Sequence, residues 1–111
     1  MRAPKEDLSS YIERIFNMSE YQGAYIELEV SGGKVSIYDD CDTSLKRTGL
    51  LEEGTHFIIR KRDICDNKND PKNKHKKMAK IYKMSKIYEY GDIGYVSLSS
   101  YNLRVKNIIT I

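Results

Sequence analysis

Along residues 5–18 the apolar positions recur at helical spacing. Leu8, Tyr11, Ile12, Ile15 and Phe16 fall at i, i+3, i+4, i+7 and i+8 and draw one stripe down a helix. Pro4 suits the first turn of such a helix, where a missing N–H costs nothing, and Glu6 and Asp7 complement the positive end of its dipole. Gly23 breaks the pattern, and from Ala24 the period changes to two. Ala24, Ile26, Leu28 and Val30 are expected to face a core, with Tyr25, Glu27 and Glu29 outward, which predicts a strand. Ser31-Gly32-Gly33 offers the positive φ angles of a tight turn, and Val35 and Ile37 resume the alternation, so the pattern predicts a β-hairpin.

Residues 39–49 are polar and irregular. A further strand is expected at 55–62, where Phe57 and Ile59 alternate with His56, Ile58 and Arg60, followed by a polar loop over 66–74. Residues 76–90 fit two periods. Met78, Ile81, Tyr82 and Tyr88 suit a helix face, while Lys80, Tyr82, Met84, Lys86 and Tyr88 share one face of a strand. Strand is the preferred reading, because tyrosine and isoleucine are dense here. In addition, Lys80-Ile81-Tyr82 recurs as Lys86-Ile87-Tyr88 at an even shift that keeps each side chain on its face. Gly91-Asp92 with Gly94 reads as a turn. Two closing strands follow, one at Tyr95-Val96-Ser97-Leu98 and one carrying Leu103, Val105, Ile109 and Ile111. The expected fold is α+β within a single domain over residues 1–111: an N-terminal amphipathic helix packed on an antiparallel sheet or small barrel of about six strands.

Charge changes this picture more than composition does. A 40% apolar and 32% charged make-up argues only against wholesale disorder, and the net charge of +3 is mild. Yet eleven of the nineteen basic residues lie between Arg60 and Lys86 with only Asp63, Asp66 and Asp70 against them, so that stretch carries about +8 and the remainder is acidic. On a strand, Lys80, Tyr82, Lys86, Tyr88 and Tyr90 would share a face, with Lys76, Lys77, Lys83, Arg60, Lys61 and Arg62 near in sequence. Cations that neutralise phosphates beside tyrosine rings that stack on bases are what an RNA or single-stranded DNA binder needs. The expected site is therefore Arg60, Lys61, Arg62, Lys76, Lys77, Lys80, Tyr82, Lys83, Lys86 and Tyr88. The competing reading is a protein-interaction module, an accessory subunit or inhibitor that docks this basic segment on an acidic partner.

Other chemistry finds little support. No G-x-S-x-G or H-E-x-x-H motif occurs, and Ser31-Gly32-Gly33-Lys34 lacks the spacing and the hydroxyl of a phosphate-binding loop. Glu27, Glu29 and Asp39 with a lysine could assemble a nuclease, but carboxylates on a strand face are usually only solvated, so no enzyme is expected. Asp39, Asp40 and Asp42 read as turn residues, not a cation site. Cys41, His56, Cys65 and His75 lack the paired spacing of a zinc site, and no cofactor or metal is expected. No apolar run has the length of a signal-peptide core or membrane span, which predicts an intracellular protein, cytoplasmic or nuclear, whose two cysteines remain free thiols.

Overall fold

The computed structural model describes residues 7–70, 72, 76–82 and 92–110. The helix α1 spans Leu8–Asn17 and starts where its capping chemistry dictates. Asp7 is extended, and its carboxylate accepts the Ser10 N–H at 2.9 Å, so it caps the helix instead of entering the first turn. The roles expected of Pro4 and Glu6 lie outside the described residues. Leu8, Ile12, Ile15 and Phe16 are buried and Tyr11 is half-buried, the stripe read from their spacing. Ser9, also buried, accepts the Lys77 N–H at 3.1 Å and ties the helix to the strand that begins there.

Among the described residues eight strands follow: β1 (Tyr25–Val30), β2 (Val35–Ile37), β3 (Gly49–Leu51), β4 (His56–Arg60), β5 (Ile64–Asp66), β6 (Lys77–Tyr82), β7 (Asp92–Ser97) and β8 (Leu103–Ile109). They form three antiparallel sheets ordered β4-β1-β8, β2-β3 and β5-β6-β7. The α+β class holds, but the strands do not close into a single barrel. One hydrophobic core draws on the helix and all three sheets, from Ile12 through Ile26, Val35, Leu51, Ile59, Ile81 and Val96 to Leu103.

The expected hairpin between β1 and β2 does not form. Both edges of β1 are taken, by β4 on one side and β8 on the other, so β2 pairs instead with β3, a strand that starts at the last residue of the segment expected to be irregular. Gly32 does take a positive φ of 82°, but the strands before and after it do not pair with each other. Gly94 is also not a turn residue. It lies within β7, where its missing side chain admits the backbone of residue 38. Tyr38 and Tyr95 exchange two backbone hydrogen bonds of 2.9 and 2.8 Å there, which join the β2-β3 sheet to β7. The strand expected to run to residue 62 stops at Arg60 and gives way to a 3-10 turn over Lys61–Asp63.

The cysteines are not free thiols. Cys41 and Cys65 form a disulfide that fastens the loop after β2 to the edge strand β5. Around it the buried Asn67 amide accepts the Thr43 and Asn69 N–H groups at 3.1 Å each and donates to the Thr43 hydroxyl at 2.8 Å. Asp40 and Asp42 serve this joint as turn residues, accepting the Cys41 and Ser44 N–H groups at 2.7 and 2.9 Å. Among the described residues no helix is long and apolar enough to cross a membrane.

Candidate nucleic-acid interface

At the end of β4 the chain turns sharply, and the turn is locked by one buried acid. The Asp63 carboxylate accepts the Arg60 N–H at 3.0 Å and the Arg60 Nε–H at 3.4 Å. This holds Arg60 against the protein and turns the next two cations outward. Lys61 and Arg62 are exposed, and neither has an ion-pair partner among the described residues.

Antiparallel pairing of β1 with β4 places Tyr25 opposite Arg60. The segment leading into β1 therefore forms the facing wall. Phe16, Tyr21, Gln22, Gly23, Ala24 and Tyr25 enclose a cleft of about 280 Å³ together with Arg60, Lys61 and Arg62. A second cavity of about 190 Å³ is lined by Glu13, Phe16, Asn17, Lys61, Ile64 and Lys77. The two share Phe16 and Lys61. Lys77 is not a spare charge there: its ammonium hydrogen-bonds Asp66 and lies 3.7 Å from Glu13. Those contacts, the Asp66 hydrogen bond first, hold its pKa above the ordinary lysine value.

The expected site residues thus separate. Arg60, Lys61, Arg62 and Lys77 gather around the C-terminal part of α1, and the exposed Lys76 directly precedes β6. Lys80 is half-buried on β6, and Met78, two residues before it, is fully buried. The backbone of Tyr82 ends β6 opposite Asp92. Lys83, Lys86 and Tyr88, with Met84, Tyr90 and the second copy of the Lys-Ile-Tyr echo, lie outside the described residues, as does His75. The aromatic walls at Tyr21 and Tyr25 are not among the expected site residues. Their signal is the pairing register of β1 with β4, which local pattern does not carry.

The carboxylates considered for catalysis sit elsewhere, on the outer face of the β4-β1-β8 sheet. The His56 ring lies between Glu27 and Glu29, with Nδ1 3.2 Å from the first and Nε2 2.9 Å from the second. Arg104 donates from Nε to Glu29 at 2.7 Å, and the Lys106 ammonium lies 3.6 Å from it. Asp39 is a residue of a different segment. Among the described residues no group of three or more His, Cys, Asp or Glu is placed to hold a metal ion.

The Arg104 hydrogen bond, aided by the charges of Arg104, Lys106 and His56 and opposed by burial, holds Glu29 below the usual glutamate range. A carboxylate depressed in this way stabilises the fold above its unfolded pKa, about 4.3, and that contribution is lost as pH falls through the folded value. Urea midpoints measured between about pH 7 and pH 3 should therefore fall less steeply in Glu29→Gln, which starts from a lower midpoint at neutral pH. Parallel pH curves for the variant and the parent would show that Glu29 contributes nothing to acid sensitivity.

No protein-family model, curated protein or solved structure matches the chain.

Proposed function

We propose that the chain is a non-enzymatic binding module for single-stranded nucleic acid, with the cleft between Tyr21–Tyr25 and Arg60–Arg62 as its contact surface. The observation that carries this reading is the meeting of two exposed cations, Lys61 and Arg62, with two tyrosines in one cleft. Lysine and arginine attract the phosphate backbone whatever its sequence, and tyrosine faces accept any base. A single strand is favoured over a duplex because unpaired bases can be splayed into a cleft and stacked on aromatic rings. Part of the basic stretch is neutralised locally, Lys68 by Asp40, Lys77 by Asp66 and Glu13, Arg60 by Asp63. The contact is therefore narrower than the charge of residues 60–86 implies.

The test is fluorescence anisotropy of labelled single-stranded RNA, single-stranded DNA and duplex across about 50 to 200 mM salt. Single strands should bind more tightly than duplex, with an affinity that drops steeply as salt rises. Replacing both Lys61 and Arg62 with Ala should flatten the slope of log K against log salt by about 1.4, since each lost phosphate contact on a single strand removes about 0.7. Tyr21→Ala and Tyr25→Ala should each cost about 1–3 kcal/mol of single-strand affinity with the slope unchanged. Absence of binding at the lowest salt would overturn the proposal in favour of protein docking. That second reading has one observation of its own, the side chain of Tyr101, which is 97% exposed at the turn before β8.

A further inference from the structure

Resting on that reading, we infer that the interface takes a two-nucleotide step of single-stranded nucleic acid, with Lys61 on the phosphate that joins the two nucleotides. The cavity sizes set the first limit. The cleft of about 280 Å³ and its neighbour of about 190 Å³ both lie below the roughly 300 Å³ at which small-molecule pockets start, so each is too small for several nucleotides at once and the smaller is the tighter of the two. The junction residues set the second. Phe16 forms a wall of both spaces and Lys61 lines both, so a strand running from one to the other passes the Lys61 ammonium at the crossing.

The chemistry of the two spaces assigns their contents. The larger one has Tyr21 and Tyr25 with the exposed Arg62, suited to a stacked base and its phosphate. The smaller one is lined by Glu13 and Asn17, and among the described residues its only lining cation besides Lys61 is Lys77, already shared between Glu13 and Asp66. A phosphate placed there would face Glu13 without a spare positive charge. A base edge with an exocyclic amino group would instead find acceptors, as cytosine does on acidic side chains and adenine on amides. The position left for the linking phosphate is at Lys61, exposed and without an ion pair among the described residues.

The experiment is a competition series in which unlabelled oligoadenylates of one, two, three and six nucleotides displace a labelled single strand from the intact chain, repeated with Lys61→Ala and Lys46→Ala. Affinity should rise at least tenfold from one nucleotide to two and less than threefold from two to three. Lys61→Ala should erase the first step, while Lys46→Ala, at an exposed position outside both cavities and outside the expected site, should leave it in place. An even gain per nucleotide up to six, or equal effects of the two variants, would overturn the two-nucleotide site and leave nucleic-acid binding standing. Failure of every length to compete against a strand that does bind would overturn it in the same way, and failure of the labelled strand to bind would remove both readings. An unchanged thermal midpoint of Lys61→Ala separates lost contact from lost fold.

Discussion

Gly94→Ala should be among the most damaging single substitutions in the chain, costing about 3–5 kcal/mol of the roughly 5–15 kcal/mol that holds a typical domain together. A Cβ at this position would lie 2.4 Å from the Tyr38 carbonyl oxygen and 2.9 Å from the Ile37 Cγ2, on a backbone whose φ of +133° L side chains rarely adopt. Neither neighbour can swing aside. The carbonyl belongs to main chain fixed by the paired hydrogen bonds between Tyr38 and Tyr95, and Ile37 is buried in the shared core. Relief therefore requires opening the bridge that joins the β2-β3 sheet to β7. That adds lost hydrogen bonds of about 1 kcal/mol each to a backbone strain of about 1–3 kcal/mol. Gly54→Ala is the matched control, since its φ is also positive, +89°, but nothing lies within 4 Å of the added methyl. In urea unfolding the control should lose about 1 kcal/mol from backbone strain alone. Equal losses in the two variants would mean that the bridge between β2 and β7 yields easily and contributes little.

That same glycine shows where local pattern stops being informative. Beside Gly91-Asp92 it reads as a turn, because a glycine needed for the close approach of a distant backbone looks the same as one needed for a bend. Periodicity identifies α1, β1 and β4 well, since Leu8, Ile12, Ile26, Leu28, Phe57 and Ile59 are all buried on the faces their spacing predicts. It does not say which strands pair. The nearest candidate for β1 is β2, yet β4 and β8 occupy its edges, a choice made by the whole core and not by the turn between neighbours.

The candidate site divides along the same line. Arg60, Lys61 and Arg62 are legible as a run of charge, but the tyrosines facing them come from residues 21–25 through strand register. Counting charge also overstates the free cations, because Glu13 and Asp40, distant in sequence, answer Lys77 and Lys68. The disulfide was hidden for a related reason. Two cysteines 24 positions apart in no recognised framework gain meaning only when the loop after β2 and strand β5 are brought side by side.

Removing that disulfide should be the other large effect. A cross-link closing a loop of this length restricts the unfolded chain by about 3 kcal/mol, so the Cys41→Ala, Cys65→Ala double variant should lose about that much in urea unfolding. Adding reductant to the parent should lower its midpoint similarly and should leave the double variant unchanged. The loss should also have a place. The Thr43 and Asn69 amides bonded to Asn67, and the Lys68 amide bonded to the Cys41 carbonyl, belong to the joint that the cross-link closes. Their hydrogen exchange should accelerate beyond what the global loss explains, because this joint can open locally while β1, paired on both edges, stays closed. A parent whose midpoint ignores reductant would show that the bond is either absent in solution or without consequence for the fold. A reductant-sensitive midpoint would instead weigh against the intracellular expectation, since disulfides persist in oxidising compartments and are rare in the reducing cytosol.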